Sequence, residues 1–315
     1  MTFKSCIKSM RLRTLPLSLA GIVAGLAISL NCGPLKVSVV ISLVLTTALL
    51  QILSNLSNEL GDTLNGTDTA ERQGIHYSLQ DGEISLSEMN SLIAATAVLC
   101  CISGLLMIYF SFGTLFALEP LLLVLLGAAA IWAAMHYTLG KNPYGYSGKG
   151  DIFVFIFFGL VSVLGAAYIC THSFSLLWAL PATAIGCWSV AVLNVNNIRD
   201  MKTDAATRTT IAIKLGLKKA RIYQTILICA GWILLICFSL IALKRTVLYC
   251  YILTLPLFAM HLKGVWTRQD KALDPMLPLL VISTFATALL MLIFCLPLRL
   301  RTANADSAQE KFYPV

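Results

Sequence analysis

Asn55, Asn58 and Asp62 are spaced by three and then four residues, and Asn197, Asp200 and Asp204 repeat the same spacing. On a helix this brings each trio to one side as a stripe of oxygen-bearing side chains. Carboxylate and amide oxygens are hard ligands that suit Mg²⁺ or Ca²⁺. A single stripe is compatible with a solvated helix end and its capping residues. Two copies carry more weight, because facing carboxylate clusters can hold ions that bridge the oxygens of a diphosphate and neutralise its charge. A site that creates an electrophile by expelling a diphosphate becomes the leading idea. Acidity is also concentrated here: of fifteen Asp and Glu in the chain, six (Glu59, Asp62, Asp68, Glu71, Asp81 and Glu83) lie between positions 59 and 83.

Each trio ends a long apolar run, and the composition says what those runs are. The 315-residue chain is 58% hydrophobic and 12% charged, which excludes an ordinary soluble domain and marks a polytopic membrane protein. Nine runs are long enough to cross a bilayer at roughly 20 residues each: Leu15–Leu30, Val37–Leu53, Leu92–Phe112, Leu121–Leu139, Ile152–Ile169, Leu176–Val195, Ile222–Leu243, Val247–Leu262 and Met276–Leu298. The expected fold is all-α, with nine transmembrane helices. Residues 1–298 form a single transmembrane domain and 299–315 a polar C-terminal tail. Lys4, Lys8, Arg11 and Arg13 before the first run read as the flank of an uncleaved first span.

The net charge of +8 does not indicate nucleic acid, because the basic residues lie between spans and not on one face or arm. They sort by side. Seventeen of the 23 Lys and Arg fall in the N-terminus and in segments 56–88, 140–151, 196–221 and 263–275, against six on the other face. The positive-inside rule then makes the N-terminus and both acidic trios cytoplasmic; the expected location is the cell (inner) membrane. The trios follow the second and sixth spans, an even offset of four that implies parallel halves. The ten cysteines contain no C-x-x-C pair and mostly sit within apolar runs, so neither a disulfide framework nor a zinc site is indicated.

The loops on the acidic side supply cations beside the carboxylates. Arg72 follows Asp68 and Arg208 follows Asp204, close enough for either to touch phosphate oxygens. Lys218, Lys219 and Arg221 are better read as topology. The Gly-rich loop from Tyr137 to Asp151 is a shaped segment in which Tyr137 and Tyr146 can line an aromatic acceptor site, although tyrosine at a membrane interface is ordinary.

Asn55-x-x-Asn58-Glu59-x-x-Asp62-x-x-x-Gly66-x-Asp68, with Asn197-x-x-Asp200-x-x-x-Asp204, resembles the UbiA-type membrane prenyltransferases, and most closely their 1,4-dihydroxy-2-naphthoate branch. Arg11-Leu-Arg13-Thr14-Leu15-Pro16, Tyr137 to Asp151 and Thr210 to Gly216 agree with this, so the likeness spans nearly the whole chain. The resemblance implies a central cavity opening to the cytoplasmic side, a polyprenyl diphosphate donor and an aromatic acceptor. It implies Mg²⁺ held by Asn58, Asp62, Asp68, Asp200 and Asp204, with Asp62, Asp200 and Asp204 as the catalytic carboxylates. Substrate binding falls to Asn55, Asn58, Arg72, Asn197, Arg208, Arg11 and Tyr137. The implied reaction transfers the polyprenyl group to 1,4-dihydroxy-2-naphthoate with loss of CO₂ and pyrophosphate, giving demethylmenaquinol for menaquinone biosynthesis. No protein partner is indicated.

Some positions depart from the family pattern: Glu59 stands where Asp is usual, Gly150-Asp151 replaces Gly-Glu, and a Gly-Lys before Thr210 is missing. Gly66, where relatives using 4-hydroxybenzoate have an acid, favours the naphthoate branch. The rival readings are the same chemistry on 4-hydroxybenzoate or homogentisate, and an ion transporter with an acidic mouth. A transporter would place ionisable groups near the bilayer midplane, where these spans have almost none. A CDP-alcohol phosphotransferase would need a D-G-x-x-A-R signature, which is absent.

Overall fold

A computed structural model describes residues 2–66, 77–242 and 250–312, with side chains described as far as Cys295. The helices are α1 (Phe3–Met10), α2 (Leu15–Ser29), α3 (Val37–Leu64), α4 (Leu86–Phe112), α5 (Leu118–His136), α6 (Gly150–Thr171), α7 (Ala179–Arg199), α8 (Met201–Asp204), α9 (Ile211–Ala242), α10 (Leu255–Thr267) and α11 (Met276–Phe312). No strand occurs among the described residues. Eight helical segments among them are long and apolar enough to cross a membrane. The expected ninth run, Val247–Leu262, begins outside the described residues and continues through the turn Ile252–Thr254 into α10. The protein is an all-α, multi-pass membrane protein.

Local signals set several boundaries. Thr2 and Ser5 form a capping box on α1, and Ser85 with Glu88 forms another on α4. Pro16 occupies the first turn of α2, where its missing N–H costs no hydrogen bond. The first acidic stretch is helical, with α3 running eleven residues past Leu53, whereas the second is broken: α7 ends at Arg199, Asp200 stands in a turn and Asp204 ends the separate helix α8, so the expected single-helix stripe of Asn197, Asp200 and Asp204 does not form. In α9, Gly216 has φ 73° and breaks the helix, so Ile211–Leu215 turns away from the span that follows. The backbone of α11 stays helical beyond Leu298, where the apolar run ends.

Helix α7 packs between α9, α6 and α11, and its buried Trp188 meets Trp232 and Phe258 at ring-centroid distances of 5.4 and 4.7 Å. With lipid as apolar as a core, such packing and not water exclusion holds spans together. Small residues allow it. A Cβ on Gly159 would stand 2.6 Å from Gly186 Cα, so α6 and α7 touch backbone to backbone there. Within α6, residues Phe155–Val161 adopt a π-helical turn in the wall of the principal cavity.

That cavity, of about 490 Å³, lies among α2, α3, α4, α5 and α6. Along α3 it runs from Leu43 through Thr46, Leu50, Gln51 and Ser54 to Asn58. Fifteen residues of helix span about 22 Å, a large part of a bilayer's hydrocarbon thickness. The cavity ends one helical turn before Asp62, so the fold joins an apolar trough to the carboxylates.

Candidate active site

The end of α3 brings Asp62 to the loop after α5 by close packing. A Cβ on Gly61 would lie 2.6 Å from Thr138 O, so only glycine admits that loop. Thr138 Oγ1 donates to Ser57 O at 2.9 Å and to Asn58 Oδ1 at 3.3 Å, which fixes the Asn58 amide at the cavity wall. Tyr146, from the same loop, donates a 2.7 Å hydrogen bond to Asp62 Oδ1, and Thr209 N donates to Tyr146 O at 2.9 Å. One loop thus ties the first acidic stretch to the second.

Arg208 makes the direct link. Its Nη2 donates to Asp204 Oδ1 at 2.8 Å, while Nη1 stands 3.9 Å from Asp62 Oδ1. Asp62, Asp200 and Asp204 are each under 5% exposed. Burial pushes the Asp204 carboxyl above the ordinary range, with Arg208 opposing and the charges of Asp200 and Asp62 adding to the rise. Burial alone would lower the Arg208 guanidinium, yet Asp62 and Asp204 hold it above its usual value. Burial likewise pushes the Tyr137 phenol up to about 12. Tyr137 lines the cavity, and its ring meets Tyr144 edge-on at 5.4 Å.

The expected stripe of Asn55, Asn58 and Asp62 divides. Asn58 faces the cavity and Asp62 faces Arg208, but Asn55, expected at the substrate, instead anchors the N-terminal segment: its Nδ2 donates to Met10 O at 2.8 Å and Thr14 Oγ1 at 2.9 Å. The reason is that α1 and the turn after it lie across this part of α3. Glu59, fully buried, completes the anchor by accepting from Ser9 Oγ at 3.1 Å and Leu79 N at 2.8 Å. Arg11 sits at the end of α1 with φ 50°, its guanidinium carbon 3.6 Å from the Tyr77 ring centroid, consistent with a cation–π contact. Asn197 is buried on α7. Asp68 and Arg72 lie outside the described residues.

Arg199 belongs to neither trio by spacing, yet it sits at the second one. Its Nε and Nη2 fork onto the two oxygens of Asp200 at 2.8 and 2.5 Å, and Nη1 reaches Asp274 Oδ1 at 2.8 Å. A lone Arg at the end of an apolar run, directly before a candidate ligand, was the available signal. Tyr146, expected at the aromatic acceptor, bonds Asp62 instead, a contact that residue spacing does not encode.

The donor set fits a hard divalent ion. Asp204 Oδ2 is buried without a hydrogen-bond partner, an oxygen left for a ligand. Among the described residues no three acidic, His or Cys side chains form a ready-made metal shell.

A membrane-spanning helical bundle with paired carboxylates at the end of an apolar trough has the architecture of an enzyme that joins a lipid diphosphate to a second substrate. Residues 18–285 match the UbiA prenyltransferase family, and the chain belongs to that family. It is 37% identical over 286 residues to the 1,4-dihydroxy-2-naphthoate octaprenyltransferase of Escherichia coli, covering 90% of this chain and 92% of the relative. It is 39% identical over 274 residues to the Haemophilus influenzae protein of the same name, covering 85% and 87%. The apo structure of a UbiA homologue from Aeropyrum pernix superposes with a TM-score of 0.67 at 17% identity, covering 90% of this chain and 98% of the other, a likeness of fold.

Proposed function

We propose that this protein transfers a polyprenyl group from polyprenyl diphosphate to 1,4-dihydroxy-2-naphthoate, releasing pyrophosphate and CO₂ and forming demethylmenaquinol. The observation that carries the reading is the identity of 37–39%, over most of the chain, to relatives named for that acceptor. The joining of an apolar trough to buried carboxylates supports it.

In this reading Asn58, Asp62 and Asp68 on one side, and Asp200 and Asp204 on the other, would hold Mg²⁺, with Asn197 supporting the second set. When bound, the metal supplies positive charge to the diphosphate as it leaves. Arg208, between Asp62 and Asp204, and Arg72 after Asp68 bind the same oxygens. Tyr146 keeps Asp62 turned toward the site. The trough receives the prenyl tail and excludes water that would quench an allylic cation.

The bond changes balance. The allylic C–O bond breaks and its electron pair leaves with pyrophosphate; the ring carbon bearing the carboxylate attacks the allylic carbon. That carbon has no proton to lose, so its bond to the carboxylate breaks, CO₂ departs, and the released pair restores aromaticity. Tyr137, on the cavity wall, and Arg11 orient the acceptor. The charge asymmetry supports an N-terminus and site on the cytoplasmic side of the inner membrane.

Carboxyl-labelled acceptor and the purified protein test this. One labelled CO₂ is expected per prenylated product. Product that keeps the label, or turnover of 4-hydroxybenzoate with none of the naphthoate, would overturn the acceptor while leaving the family untouched.

A further inference from the structure

Arg199 lies between two carboxylates that belong to different parts of the chain. Its fork occupies both oxygens of Asp200, itself 3% exposed, at the end of α7. Its Nη1 reaches Asp274 in the segment joining α10 to α11, and its Nη2 also donates to Asn196 Oδ1 at 2.9 Å. The same segment is clasped a second time, on the outside, by Lys202 Nζ to Asp270 Oδ2 at 2.8 Å. Leu273 and Met276 pack beneath it against Val195 and Ile198 of α7.

A carboxylate held by a guanidinium fork is already neutralised. A divalent ion approaching Asp200 therefore meets a competitor of the same sign, and the buried setting magnifies their repulsion. Arg199 has somewhere to go, because Asp274 and Asn196 already accept from it. We propose that Asp274 sets the strength of divalent-ion binding at Asp200 by sharing Arg199: the guanidinium shifts its weight from Asp200 to Asp274 as the ion arrives. The inference rests on reading Asp200 as a metal ligand. It makes Arg199 and Asp274 positioning residues and brings the segment between α10 and α11 into the site's chemistry.

The alternative is a clasp that only holds this segment to the bundle. Both readings predict that loosening it lowers the melting temperature, so the decisive measurement is ion binding. Mn²⁺ binding to the full-length protein in detergent, without substrate, is followed by the electron paramagnetic resonance of the free ion. Asp274→Asn removes the only other carboxylate shown bonding Arg199, leaving Asp200 as its one charged partner among the described contacts, and is expected to weaken binding about tenfold, the scale seen when partners of a ligating carboxylate are removed. Asp274→Glu keeps the charge and restores binding. Lys202→Met, which opens the outer clasp, leaves it unchanged. Arg199→Lys keeps a charge without the fork, so it frees Asp200 and should bind Mn²⁺ at least as tightly as the unaltered protein. In turnover, Asp274→Asn raises the Mg²⁺ concentration for half-maximal rate by a similar factor, and saturating Mg²⁺ recovers kcat.

Asp274→Asn binding Mn²⁺ within twofold of the unaltered protein would overturn the proposal, as would equal weakening by Lys202→Met. If Asp274→Asn does not fold, weakened binding in Arg199→Lys overturns it instead. An unaltered protein that binds no Mn²⁺ removes the metal reading itself, and this inference with it.

Discussion

Tyr146 Oη donates a 2.7 Å hydrogen bond to Asp62 Oδ1, joining residues 84 positions apart in the chain. The acceptor is a buried carboxylate, so the bond orients a charge that water cannot orient. Tyr146→Phe removes the donor and keeps the ring. A hydrogen bond to a charged group contributes about 1.5–3 kcal/mol to stability, so the melting temperature should fall, and kcat/KM should fall roughly 10- to 100-fold as Asp62 loses its orienting donor. Unchanged steady-state prenylation would show that Asp62 does not depend on this bond.

Asp62→Ala and Asp200→Ala should each abolish nearly all turnover while the protein stays folded in detergent, because diphosphate charge is left uncompensated. EDTA should do the same, reversed by Mg²⁺. Full turnover without any divalent ion is the result that sinks the metal assignment.

Asn55→Ala should behave differently. The Asn55 amide holds Met10 O and Thr14 Oγ1, so its loss frees the segment carrying Arg11. With the 3.0 Å bond that Asn55 Oδ1 accepts from Gln51 Nε2, three hydrogen bonds at about 1 kcal/mol each give a destabilisation of about 2–4 kcal/mol. Thermal unfolding in detergent measures it, and KM for the acceptor should rise more than kcat falls. A collapse of kcat with unaltered stability would return Asn55 to the reacting groups.

Orientation is open to a direct test. A reporter fused after Leu298 should be active only outside the cytoplasm, and one inserted at Gly216 only inside. The reverse pattern refutes the sidedness drawn from the Lys and Arg distribution.

Much of this was legible in the sequence. Long apolar runs fixed the all-helical class, since only helices or closed barrels satisfy their backbone within lipid. The repeated spacing singled out Asp62, Asp200 and Asp204, all of them buried; on α3 the period sets Asn55, Asn58 and Asp62 on one face, whereas the break at Asp200 parts it from Asp204. Periodicity does not say what covers that face. Asn55 has the right angle on α3, yet α1 lies over it. The bridge Arg199 makes is hidden for a related reason: its partner Asp274 is 75 residues away, and only the folded path of the segment before α11 brings them together. Tyr146 reaches Asp62 through a backbone approach that Gly61 permits and no spacing rule encodes.

As the proposed berth of the prenyl tail, the apolar trough beside α3 selects by flexibility and not by hydrogen-bonding pattern, since most of its wall offers only hydrocarbon, sulfur and aromatic faces. Any limber alkyl chain can thread it. Surfactants used to extract the protein are therefore competitors for the donor's berth, and the apparent KM for donor should climb with micelle concentration and relax in lipid vesicles. Kinetic constants for such an enzyme belong to the enzyme and its solvent together.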